Sequence, residues 1–179
     1  MKKKLVLIIS ILTFIACDTA SVDLDDDNYV FDGRGGIKCE VDGTLLIPSA
    51  SIIYGNATLR QDSFSDFTPF LTMGYHNNNQ STGLGFQYIR ILLYDVDSRE
   101  DLTGQIYYLY DEENQESFGE YGAGNFDDGF TTTEYYGEVE IIYHDVDERI
   151  LAGTFWYDVV NENGEIREVR NGEFDMKIW

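Results

Sequence analysis

Asp95, Asp97 and Asp101 set three carboxylates at nearly alternate positions, and Asp145 and Asp147 repeat the Asp-Val-Asp fifty residues on. Oxygen ligands spaced in this way are what calcium loops use. Here, however, Arg99 stands where a further acceptor is wanted, and neither the glycine of the sharp turn nor a closing bidentate glutamate follows. These aspartates are therefore expected at turn corners, bonding their own backbone and pairing with Arg99 and Arg149, with weak calcium binding as the metal alternative. No other cofactor is expected. His76 and His144 lie far apart, with no cysteine or second histidine at ligand spacing. No nucleophile elbow, zinc helix or glycine-rich phosphate cradle occurs, and carboxylates are too abundant for one pair to stand out as general acid and base.

The other candidate chemistry is stacking. The stretch DEENQESFGEYGAGNFDDGF, residues 111–130, is long for a hairpin connection and carries Phe118, Tyr121, Phe126 and Phe130 among acids and glycines. As a loop it would offer an aromatic platform for a sugar ring, with carboxylates accepting from the hydroxyls. The competing reading is a solvated connection whose rings fold back onto the rim of the domain.

Cys17 is a third candidate. The chain opens MKKK, continues through apolar Leu5 to Ala16, and reaches Cys17 in FIAC. A segment this short does not span a hydrocarbon core, which needs roughly 20 apolar residues, but it fits a secretory leader. FIAC resembles a bacterial lipobox, with Phe14 where Leu is usual. The cysteine would then become the new N-terminus, its thiol carrying a diacylglycerol. A disulfide to Cys39 and an uncleaved anchor are the alternatives. The small and acidic residues after Cys17 offer nothing to hold it for a crosslink, which favours lipidation. Cys39 alternates with Ile37 and Val41 and is expected to be a small buried hydrophobe.

The chain holds 12 basic and 33 acidic residues, for a net charge of −21, and cleavage before Cys17 would remove three lysines and no acid. Such a surface repels nucleic acid and anionic membrane, so attachment would come from the lipid alone. Three segments follow: a lipoprotein signal peptide over 1–16, an acidic flexible tether over 17–35, and one β domain over 36–179. The acidic run from Asp23 resembles the export signals of Bacteroidota lipoproteins that face outward from the outer membrane.

The elements that must position these residues are strands. From Gly36 onward the pattern has period two with frequent turn signals, and Asp42-Gly43 marks a two-residue hairpin. Strands are expected in ASIIYG, FTPFLTMGY, LGFQYIRILLY, QIYYLY, TTTEYY, EVEIIYH, ILAGTFWYDVV and EFDMKIW. The fold expected is all-β, an antiparallel sandwich of about eight to ten strands, or alternatively a closed or partly open barrel. The two Asp-Val-Asp segments imply two similar hairpins.

The end of the chain, RILAGTFWYDVVNENGEIREVRNGEFDMKIW, resembles that of a family of uncharacterised Bacteroidota lipoproteins. The matching positions are Gly153, Thr154, Phe155, Gly164, Asn171, Gly172, Phe174 and Asp175, and IKCEVDGTLLIPSAS resembles the family's opening hairpin. The resemblance implies an all-β domain on a lipid anchor with no assigned activity. Its glycines would serve corners and bulges and its phenylalanines the core. The resulting expectation is a lipid-anchored, non-catalytic envelope domain at the outer membrane, with surface display favoured over a periplasm-facing anchor, binding a glycan, a peptide or a partner protein. A structural envelope component is the alternative, and a carboxylate-based hydrolase stands behind both.

Overall fold

A computed structural model describes residues 22–46, 57–63, 68–77, 86–110 and 117–179. Cys17 and the expected strand ASIIYG lie outside them. The chain is all-β, and no helix occurs among the described residues. Eleven strands follow in order: β1 (Gly36–Val41), β2 (Thr44–Leu46), β3 (Thr58–Ser63), β4 (Pro69–Asn77), β5 (Gln87–Tyr94), β6 (Ile106–Leu109), β7 (Phe118–Ala123), β8 (Phe126–Phe130), β9 (Gly137–Asp145), β10 (Ile150–Val160) and β11 (Ile166–Lys177). Every named strand pair is antiparallel.

They form one curled sheet, a half-barrel, in the order β2-β1-β11-β10-β8-β7-β5-β4-β3, with β9 on β10 and β6 outside β9. This is the partly open barrel rather than the two-layer sandwich. Bulges bend the sheet where β10 meets β9 and β11, where β1 meets β11 and where β7 meets β8. β10 is forked: residues 150–157 pair with β9, and Val160 pairs with Phe130 of β8. At the far side β3 returns to the chain's end, where Leu59 bridges Ile178 and the Trp179 amide donates to the Leu59 carbonyl at 3.1 Å.

The period of two decides which side chains enter the half-barrel. In β5, Gln87, Ile89, Ile91 and Leu93 are buried, whereas Tyr88, Arg90, Leu92 and Tyr94 face outward. Cys39 of β1, Met73 and Tyr75 of β4, Phe155 and Tyr157 of β10 and Phe174 of β11 complete the core. Cys39 Sγ lies 3.9 Å from the Tyr75 hydroxyl, so the thiol is packing, as its alternation indicated.

Several expectations need correction. Residues 117–130 are not an open loop: β7 and β8 make a hairpin within them. TTTEYY is a connection, not a strand. Of the two Asp-Val-Asp segments, only the second closes a hairpin, β9 to β10, because β6 leaves β5 to pair with β9. Gly153 does not begin a strand after a corner but lies inside β10, where a Cβ would stand 2.0 Å from the Glu140 carbonyl oxygen.

Residues 22–35 of the expected acidic tether over 17–35 are docked on the sheet, and residues 17–21 lie outside the described residues. From Val22, which is fully buried, the chain is docked as a strap. The Val22 amide donates to Gly35 O and the Leu24 amide to Glu173 Oε2. Asp175 of β11 accepts from the Tyr29 hydroxyl and from the amides of Asp32 and Gly33. Phe31 stacks on Tyr143 with ring centroids 4.6 Å apart. Mutual repulsion of the strap's aspartates is outweighed because their side chains stay in water, while backbone amides, the Tyr29 hydroxyl and the apolar side chains of Val22 and Phe31 make the contacts.

Candidate functional site

The structure separates the residues singled out in the sequence. Phe118, Tyr121 and Phe126 are all at least nine-tenths buried. Tyr121 packs on Phe126 at 5.6 Å and its hydroxyl accepts from Gln87 Nε2 at 3.0 Å, while Phe118 lies beneath the Arg90 guanidinium. These three are core and sheet packing, with no free ring face to present. Alternation on a pleated strand, not a loop, sets their direction. Phe130 remains half-buried, in an open trough of about 890 Å³ with Asp127, Asp128 and Glu162.

The aspartates act as turn residues. Asp97 accepts from Arg99 Nε and from the Arg99 amide, and these bonds hold its carboxyl down to about 2. Asp101 accepts from the Thr103 amide and Asp145 from the Glu148 amide. Asp95 takes a positive φ of 56° as the chain leaves β5. Asp147 is exposed in the β9–β10 turn. Among the described residues no three His, Cys, Asp or Glu side chains gather in a way that could hold a metal. His144 is buried, its Nδ1 accepting from the Leu102 amide at 3.2 Å, and burial lowers its pKa. His76 is exposed on β4 and stacks on Phe86.

Two surface features were not anticipated. The first is a notch of about 380 Å³ on the outer face of β3, β4, β5 and β7. One cross-strand row runs through it: Thr58, Gly74, Arg90 and Glu120. Gly74 lets β4 and β5 approach closely beneath it, since a Cβ there would stand 2.3 Å from the Ile89 carbonyl oxygen. Glu120, almost wholly buried, pairs with Arg90 and accepts from the Tyr88 hydroxyl at 2.6 Å. Both carboxylate oxygens are thus engaged within the protein, as suits a strut of the sheet.

The second feature is an aromatic strip across β6, β9 and β10. Tyr108 pairs with Glu138, and Glu138 with Trp156, so the three share one outward-facing row. Tyr108 stacks on Tyr110 at 5.8 Å, Tyr110 lies 6.5 Å from Tyr136, and Tyr136 meets Trp156 edge-on at 5.5 Å. Tyr108 is 50% exposed and Tyr136 45%. Arg170 of β11 continues the line, its guanidinium 5.5 Å above the Trp156 ring. It is held there by Asp158, at 2.6 Å, and by the carbonyls of Tyr157 and Val169. The outward carboxylates of Glu138 and Glu140 occupy the β9 positions between the flanking rows of β6 and β10.

The strip ends in a pocket of about 440 Å³ lined by Thr154, Trp156, Arg170, Asn171 and Glu173 of β10 and β11 and, from the strap, Asp25. The Asn171-Gly172 bulge shapes it. Asn171 takes a positive φ of 50°, and its amide nitrogen donates to Glu40 Oε2 at 3.1 Å. Sequence reasoning missed the strip because its rings come from three separate stretches, brought together only by the pairing of β9 with both β6 and β10. One signal was present: aromatics at the alternate positions Tyr108 and Tyr110 of YYLY, which any half-exposed strand shows.

Compared with family models, curated proteins and solved structures, the chain has no significant match. The functional reading therefore rests on the residues and their geometry.

Proposed function

We propose that this chain is a lipid-anchored cell-envelope domain that binds a glycan along its outer aromatic strip without catalysing a reaction. The row of outward-facing rings from Tyr108 to Trp156, with Tyr108 and Tyr136 exposed and Tyr110 and Trp156 half-buried, ending at Arg170, carries the reading. Sugars present C–H faces that stack on aromatic rings and hydroxyls that donate to carboxylates, and here both partners alternate over one sheet face. A docked protein or peptide would have to strip water from Glu138, Glu140 and Asp158, at a cost that a sugar's hydroxyls offset. An elongated platform without an enclosing cleft suits holding a chain more than cleaving it.

The anchor in this proposal is Cys17, carrying a diacylglycerol after removal of residues 1–16. Since the strap is docked from Val22, the distance from Cys17 to the domain would be at most about 17 Å, the reach of five residues of chain. The domain would then be held close to its membrane, the outer membrane of the envelope, with its charge contributing no attraction to an anionic bilayer.

Affinity electrophoresis of the soluble domain against a mixed-linkage β-glucan, galactomannan, dextran and xyloglucan tests the binding. Retardation by at least one gel is expected, and Trp156→Ala and Tyr136→Ala should each abolish it while leaving the melting temperature within a few degrees. Equal migration of parent and variants in every gel rejects the reading. Intact mass of the membrane-extracted protein tests the anchor, which requires an acyl-glyceryl adduct on a chain starting at Cys17.

A further inference from the structure

Trp156 sits at the end of the strip, and the pocket beside it is closed by a residue from outside the sheet. Asp25 belongs to the strap, which is held at this place by the Leu24 amide on Glu173 at the pocket's edge and, farther off, by the burial of Val22 and the three donors that converge on Asp175. The pocket is complete only while the strap is docked. We infer that the strap is a working wall of the binding site, with Asp25 contacting the bound sugar and buried Asp175 acting as the positioning residue that keeps it there. This rests on the glycan reading above and goes beyond it by naming the wall, the device that places it and the charge class of sugar admitted.

The charge class follows from the groups around the pocket. Arg170 is the pocket's own cation, and its guanidinium is already matched by Asp158 at 2.6 Å and by Glu168 at 3.9 Å. Glu173 is half taken by Lys38 at 3.3 Å and half by the Leu24 amide. Glu40 lies beyond Asn171. Asp25 adds an exposed carboxylate with no cation assigned to it among the described residues. A uronate would bring a further negative charge into this setting, so the pocket admits uncharged sugars and disfavours carboxylated ones.

Coupling between strap and sugar must run both ways, since a ligand that touches Asp25 binds the docked strap better than the released one. A bound glycan should therefore protect the strap, and a released strap should weaken the glycan.

The experiment uses the full mature chain and the neutral polysaccharide that retards it most, with polygalacturonate as the charged probe. Asp25→Ala should weaken binding about five-fold, the loss of one or two hydrogen bonds. Asp175→Asn should weaken it to a similar degree although it lies outside the pocket, and should open residues 22–35 to proteolysis. Gly35→Ala is the second route to the same state, because its Cβ would stand 2.1 Å from the Tyr29 hydroxyl and 3.1 Å from the Val22 and Asp175 Cβ atoms, pushing the strap off while leaving the charge of Asp175 in place. Saturating polysaccharide should slow amide exchange at Leu24 to Asp27 in the parent and not in Trp156→Ala, a readout that a purely structural strap would not move. Polygalacturonate should give no retardation at low salt. If Trp156→Ala abolishes binding while Asp25→Ala, Asp175→Asn and Gly35→Ala bind as the parent does, the strap is excluded from the site and the glycan reading stands. If the parent binds polygalacturonate as well as the neutral polymer, the charge argument falls. A parent that binds no polymer, or a Trp156→Ala variant that binds unchanged, overturns the reading and this inference together.

Discussion

Asp175 and Tyr29 meet at 3.0 Å across 146 residues of chain, a fully buried carboxylate on the last long strand receiving the hydroxyl of a residue that precedes the first strand. Two backbone amides, from Asp32 and Gly33, share the same carboxylate. Burial and the neighbouring carboxylate raise the Tyr29 pKa, so the phenol stays protonated as the donor. This contact turns an acidic segment that should repel itself into part of the folded domain.

Replacing Asp175 by Asn removes the charge and turns one acceptor into a donor facing donors. The expected cost is about 2 to 4 kcal/mol, with early cleavage in residues 22–35 under limited proteolysis. A variant as stable and as protease-resistant as the parent would contradict the assigned role.

Cys39 should behave as an inert thiol. Burial pushes its pKa up to about 12, the Tyr75 hydroxyl pulling weakly the other way. Ellman's reagent at pH 8 should find no reactive thiol in the folded soluble domain and one per chain in guanidinium. Rapid labelling of the native domain would show that the core over β1 and β4 opens readily.

His144 sets a pH dependence. Burial lowers its pKa below the ordinary value near 6.5, partly opposed by Asp101 and Asp145. The unfolded chain therefore takes up the proton first, so the stabilisation is fully present above about pH 6.5 and declines as pH falls below it. Protonation would also end acceptance of the Leu102 amide by Nδ1. Thermal melts between pH 7.5 and 5 should show a steeper loss for the parent than for His144→Asn. Equal slopes would remove the effect.

Gly153→Ala should destabilise by about 3 kcal/mol, because the new Cβ meets the backbone of Glu140 and the Phe174 ring, neither of which can yield cheaply. Gly104→Ala, in open space at φ +79°, should cost about 1 kcal/mol through backbone strain alone. Urea midpoints of the two variants, measured together, check the order.

The two sets of aromatics should separate cleanly. Tyr121→Ala removes a buried ring and its bond to Gln87, costing about 3 to 5 kcal/mol, with polysaccharide retention unchanged in the folded fraction. Tyr136→Ala should do the reverse. Loss of binding in both, at equal stability, would return the 117–130 hairpin to the site.

The single most legible feature was class. Alternation in QYIRILLY, the Asp42-Gly43 turn with φ of 49° and 73°, and the burial of Cys39 between Ile37 and Val41 were all readable because a strand's two faces are set by nearest neighbours in the chain. The Asn171-Gly172 bulge was readable for the same local reason, a positive φ that few residues accept. β7 and β8 were missed because the glycines and acids of FGEYGAGNFDDGF read as loop, whereas they are sites of close approach: Tyr157 lies on Gly119 and Tyr88 over Gly122.

By itself, then, the sequence determined the all-β class, the chemistry of the Asp42-Gly43 and Asn171-Gly172 corners, the inward residues of the alternating strands and the net charge, all consequences of local geometry and composition. Tertiary structure alone decided that one sheet curls instead of two sheets stacking, that β6 crosses to β9 and lines up Tyr108 with Trp156, and that Asp175 captures the strap so that Asp25 stands beside the ring. Those relations join residues many tens of positions apart. They depend on which strands pair and in what register, a choice made by the energy of the whole packed core and not written in any single stretch of chain.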